Sequence, residues 1–183
     1  MLKTLRKIAS VGLVSEPAPH ADELLRISSA LDEQIRTVLG RALCIRHVDA
    51  GSCNGCELEI QALNNPLYNL GGLGIRFVAS PRHADLLLVT GPVVANMEMA
   101  LRRVYDATPS PKLVVATGDC GCTGGIFGER APSRGRVSNV IPVDVAVPGC
   151  PPSPVRILAG ILTAITNFSR PAKGQRQRGP GPT

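Results

Sequence analysis

An α/β fold, with a mostly parallel sheet flanked by helices, is predicted by three features of the sequence. Short apolar runs recur at ALCIRHV (42–48), ADLLLVTG (84–91), KLVVATG (112–118) and VDVAVPG (143–149). Stretches of helical periodicity lie between or after them, which is the alternation expected of an α/β chain. The run at 84–91 is apolar on both alternating faces, as a central strand covered on both sides requires. At 183 residues with 44% hydrophobic content, the chain is sized for one domain with a real core, and no run is long enough to span a membrane.

Leu2, Leu5, Ile8 and Val11 fall three apart beside Lys3, Arg6 and Lys7, the pattern of a short amphipathic helix suited to a partner or a membrane surface. The apolar stretch 8–14 is interrupted by Ser10 and Gly12, so it reads poorly as an export signal. SEPAPHAD then breaks the chain. Leu24, Ile27, Leu31, Ile35 and Val38 mark a helix over 21–39, with Gly40 as its stop. Residues 1–40 are therefore expected to be an N-terminal helical extension.

From Arg41 the pattern changes. After the strand at 42–48, a helix is expected from about Cys56 to a stop before Pro66. GIRFVAS (74–80) supplies another strand, 93–107 a helix, and 154–167 a closing helix beginning at Pro154. GERAPSRGR (128–136) reads as a polar loop. Residues 41–169 then form one domain with a flavodoxin-like or doubly wound sheet. The tail RPAKGQRQRGPGPT (170–183) is expected to be disordered.

Charge and composition exclude several functions. Residues 1–20 carry +2 and residues 170–183 carry +4, leaving the body from 21 to 169 with 13 basic and 13 acidic residues. A neutral body with 3% aromatics and no Trp argues against a nucleic-acid surface. Six cysteines are too few for a disulfide-dense secreted scaffold but enough for a metal centre.

The cysteines carry the strongest signal. Cys53 and Cys56 follow the strand at 42–48, Cys120 follows 112–118, and Cys150 follows 143–149. In a parallel sheet all three loops leave the carboxyl edge, where open α/β sheets build their sites. Converging thiolates suit zinc or an iron–sulfur cluster. One close pair plus two single ligands fits a cubane more naturally than the paired knuckles of structural zinc. Gly51, Gly55, Gly118, Gly121 and Gly149 allow close turns and offer N–H groups. Pro151 and Pro152 stiffen the last loop. Cys44, inside a strand, reads as core packing. Cys122 is an alternative to Cys120, which is favoured.

RHVDAGSCNGCELEIQALNNPLYNL, FVASPRHADLLLVTGPV, PKLVVATGDCGCTGGIF and IPVDVAVPGCPPSP closely resemble the 20-kDa subunit family of respiratory complex I. They are more similar still to the small subunits of membrane-bound, complex-I-like [NiFe] hydrogenases of the formate hydrogenlyase type. The resemblance spans residues 41 to about 165. It implies one [4Fe–4S] cluster beside a catalytic large subunit, with Cys53, Cys56, Cys120 and Cys150 as ligands. Complex I subunits have two adjacent cysteines in the first motif, whereas Cys53-Asn54-Gly55-Cys56 has the hydrogenase-like form. Soluble hydrogenase small subunits add a C-terminal region with further clusters, for which this chain has too few cysteines.

The resemblance thus implies a non-catalytic electron-transfer subunit of an oxidoreductase complex. Its expected partners are a large catalytic subunit, a ferredoxin-like iron–sulfur subunit and integral membrane subunits. The expected place is peripheral, on the cytoplasmic side of the membrane. Two rival readings are a cluster-bearing subunit of a quinone-reducing complex-I-like assembly and a structural zinc or scaffold protein. Glu57 and Glu59 are expected at a helix start, where acids are favoured, with a proton relay as the functional alternative. Asp49, Asp119, Asn54, Arg46, His47 and His83 are expected to support the site or an interface.

Overall fold

The computed structural model describes residues 2–12 and 21–169. The expected tail at 170–183 and most of the SEPAPHAD break lie outside the described residues. The first helix, α1 (Leu2–Val11), buries no side chain, and its apolar positions Leu2, Leu5, Ile8 and Val11 are exposed.

Helix α2 (Ala21–Gln34) continues as a π-helical turn over Ile35–Leu39 and stops at Gly40, which adopts φ +62. The chain then enters β1 (Leu43–Asp49), α3 (Gly55–Ala62), β2 (Ile75–Phe77), β3 (Leu86–Thr90) and α4 (Ala95–Ala107). Next come β4 (Leu113–Thr117), the short helix α5 (Gly118–Thr123), and the small antiparallel pair β5 (Glu129–Arg130) and β6 (Ser133–Arg134). Strand β7 (Val145–Val147) and helix α6 (Pro154–Ser169) close the fold.

Five strands form one sheet in the order β2-β1-β3-β4-β7, every pair parallel. Alternation along the strands builds two cores. Leu86 and Leu88 of β3 join Leu113 and Val115 of β4 on the face covered by α2, α3 and α6. Leu87 and Val89 join Val114 and Ala116 on the opposite face, with Leu101 of α4 and Val137, Val140 and Ile141. The α/β class and parallel sheet are therefore as expected. Strands β3 and β4 are buried along their whole length, which explains why they read as unbroken apolar runs.

Three local expectations differ. The segment 128–136 is not simply a loop: it contains the β5–β6 pair, tied to the body where Val93 and Arg134 exchange backbone bonds with the opposing segment. Strands β2 and β7 hold three residues each, shorter than their apolar runs, because each pairs on one side only. Helix α5 follows β4 without a loop. Its sequence GDCGCT has two glycines and no apolar period, so nothing marked it as helical.

Candidate functional site

All strands run the same way, so the segments after β1, β4 and β7 leave one edge of the sheet. They bring Cys53 and Cys56, Cys120, and Cys150 to that edge. Glycine makes the approach possible at two strand ends. Gly91, after β3, adopts φ +78, and a Cβ there would lie 2.5 Å from Ser52 N in the first cysteine loop. Gly118, after β4, adopts φ +86, and its Cβ would lie 2.6 Å from the Cys56 Sγ. Only a residue without a side chain fits either place at its left-handed φ.

Asp119 ties two of the loops together. Its backbone N–H donates to Gly149 O at 2.8 Å, and its Oδ1 accepts from Gly149 N at 2.8 Å. Asp49 Oδ1 accepts from Gly51 N (2.8 Å) and Ser52 N (2.7 Å), which folds the first loop back on β1. Asp49 and Asp119 therefore shape the thiol loops rather than standing free beside them.

Glu57, in the first turn of α3, is buried. The Ser52 hydroxyl donates to its Oε2 at 2.5 Å, and the Thr90 hydroxyl donates to Oε1. His47 Nε2 lies 3.0 Å from Thr90 Oγ1 and 3.6 Å from Glu57 Oε1. Burial lowers the His47 pKa against the opposing pull of Glu57 and Asp49. Ser52 and Thr90 are partners whose weight was hidden in the sequence. The register pairing Asp49 with Thr90 is what places the end of β3 under α3. His83, by contrast, sits just ahead of β3 at the opposite edge of the sheet.

The thiols share an electrostatic neighbourhood. Burial is the main cause that pushes the Cys56 thiol up to about 12, followed by Glu57, Cys53, Cys120 and Cys150. Burial likewise raises Cys120, with Cys150 and Cys53 next. Cys122 faces inward, its Sγ 3.5 Å from Ala116 O, and burial pushes it up to about 11. Cys44 is half-buried within β1.

A shared edge is not a ligand set. Among the described residues no group of three or more His, Cys, Asp or Glu side chains is placed so that it could hold a metal ion. This corrects the expectation of a [4Fe–4S] cluster. It equally corrects the iron–sulfur function in both its hydrogenase and quinone-reducing forms, and the zinc alternative. The physical reason lies in how the thiols are held: Cys53 and Cys150 are exposed on their loops, while Cys56 and Cys120 are half-buried. No described helix is long and apolar enough to cross a membrane.

Comparison with known proteins decides the family. Residues 53–164 match the model of the NADH ubiquinone oxidoreductase, 20 Kd subunit family. The chain belongs to this family. Within it, the chain is 44% identical over 142 residues to the probable membrane-bound hydrogenase subunit mbhJ of Pyrococcus furiosus, covering 78% of this chain and 85% of that one. It is 41% identical over 141 residues to formate hydrogenlyase subunit 7 of Escherichia coli, covering 77% of this chain and 54% of the relative. Among solved structures, a chain of the membrane-bound sulfane sulfur reductase, an archaeal respiratory membrane complex, matches with a TM-score of 0.61 and 31% identity. That match covers 76% of this chain and 77% of the other. Family membership supports the expected accessory role in an oxidoreductase complex.

Proposed function

We propose that this chain is a non-catalytic accessory subunit of an oxidoreductase complex, seated on a large subunit of the [NiFe]-hydrogenase or complex I type through the carboxyl edge of its sheet. One observation carries the reading. The elements that bear the thiols also bear large apolar side chains turned to solvent: Leu58 of α3 is 58% exposed, and Ile126, just past α5, is 90% exposed with Phe127 at 48%. Apolar surface gathered beside a site is what a permanent partner covers.

Cys53, Cys56, Cys120 and Cys150 are the chemical centre of this face, and Cys122 stands apart from it. The Glu57–Ser52–Thr90 network pins the start of α3, and the Asp119–Gly149 pair pins α5 to the last loop, so the edge is presented as one rigid surface. Family links point toward electron transfer. The role argued from this chain's own residues is to hold that surface against the partner.

The strand order supports a flavodoxin-like assignment of the domain spanning 41–169, with 1–40 as an extension and 170–183 as a basic tail. A ferredoxin-like subunit and integral membrane subunits complete the proposed assembly. The chain's position in it is peripheral, on the cytoplasmic side.

Co-expression with the large-subunit gene tests the reading. The pair Ile126→Asp and Phe127→Asp is expected to weaken co-purification at least about thirtyfold, the loss of one hot spot. Leu25→Asp, at an exposed apolar position on α2, serves as the control and is expected to leave it unchanged. Retention by the Ile126/Phe127 variant would sink the proposal.

A further inference from the structure

Strand β1 outruns its edge neighbour. The last residues paired between them are Ile45 and Phe77, while β1 continues to Asp49. Where β2 stops, a cleft of 290 Å³ opens, lined among others by Arg46, His47, Gln61, Asn64 and Phe77. No acidic residue lines it.

Arg46 is partly buried and lines this cleft, and its Nε is buried with no hydrogen-bond partner. Other arginines are served differently: Arg41 pairs with Asp85, and Arg102 and Arg134 share Glu98. Among the described residues Arg46 makes no ion pair. On β1 and α3, Asp49 is engaged by the amides of Gly51 and Ser52, and Glu57 by two hydroxyls. A buried cationic donor without an acceptor is costly, and the acceptor that best matches a guanidinium is a planar carboxylate.

We propose that Arg46 is the anchor of a carboxylate-binding site in this cleft. His47, Gln61 and Asn64 supply neutral polar walls, and the carboxylate comes either from an acidic side chain of a protein segment or from a free small acid. The inference does not depend on the subunit reading above.

Arginine side-chain NMR of the 15N-labelled full chain tests it, with the Arg46 Nε–Hε signal assigned by its loss in Arg46→Lys. Sodium acetate and the peptide acetyl-Gly-Glu-Gly-amide are titrated against sodium chloride at matched ionic strength. The Arg46 signal is expected to move and saturate with carboxylate but not with chloride, at an affinity about tenfold tighter than any other arginine, the worth of one charge-assisted hydrogen bond. Tighter binding of the peptide identifies a protein segment as the source; equal binding identifies a small acid. Either supports the site. The Arg41 signal, already paired, stays in place. An Arg46 signal that does not move, or that moves only as the exposed arginines do, overturns the proposal. Thermal unfolding of Arg46→Gln and Arg46→Lys confirms that the reporter variants are folded.

Discussion

Replacing Gly91 by alanine tests how closely the sheet edge meets the first cysteine loop. The new Cβ would fall 2.5 Å from Ser52 N, 2.7 Å from Ser52 Cα and 2.8 Å from the carbonyl carbon of Gly51. All three are backbone atoms, so no side-chain rotation relieves the overlap. The left-handed φ of +78 adds roughly 1–2 kcal/mol for a residue with a Cβ. Overpacking of this kind adds about 1–3 kcal/mol. The variant is therefore expected to lose about 2–5 kcal/mol. With a urea dependence of about 2 kcal/mol per molar, the unfolding midpoint falls by roughly 1–2.5 M. The chain has no Trp, so far-UV circular dichroism is the natural probe. Gly71→Ala is the control: nothing lies within 4 Å of its Cβ position, and its change stays within about 0.5 kcal/mol. A Gly91→Ala midpoint equal to that of Gly71→Ala would refute the close approach of strand end and loop.

Four further outcomes are expected. Thr90→Val removes a fully buried hydroxyl that serves Glu57 and His47, at a cost of about 1–3 kcal/mol, while Thr90→Ser restores most of it in the same urea titration. Iodoacetamide labelling read by mass spectrometry labels exposed Cys53 and Cys150 first and Cys56 last. Because Cys56 is raised from 9.0 to about 12 in the folded chain, its contribution to stability is complete below about pH 9 and disappears as the pH climbs toward 12. Asp85 accepts from the half-exposed Arg41 and from Cys44 N, so Asp85→Asn costs under about 1 kcal/mol by thermal unfolding, and Asp85→Ala, which strips the strand N–H of its acceptor, about 1–3 kcal/mol.

Much of the fold was legible because hydrophobic periodicity and burial agree in it. The runs holding β3 and β4 are apolar on both faces and are buried on both faces. Gly40 and Pro154 mark a helix end and a helix start where the structure has them. The elements that escaped are those made by tertiary contact. Helix α5 carries two thiols, Cys120 and Cys122, in a glycine-rich stretch, and the β5–β6 pair is set by polar bonds that no period announces.

The gathering of the thiol loops at one edge followed from parallel strands alone. What the spacing did not contain was side-chain placement: four cysteines on three loops do not by themselves specify a ligand set. Glu57 illustrates the same limit. A helix-start acid reads as solvent-facing, yet this one is buried because Thr90, from a strand more than thirty residues away, comes beneath it.

The central claim is that the carboxyl edge of the sheet is the face that meets the large subunit. Hydrogen–deuterium exchange of the chain alone and in complex with the large subunit, co-purified from the same cells, addresses it most directly. The account expects protection on complex formation in peptides covering 51–58, 119–128 and 149–152, with little change around 41–44 and 81–85 at the opposite edge. Protection confined to 41–44 and 81–85 would contradict it.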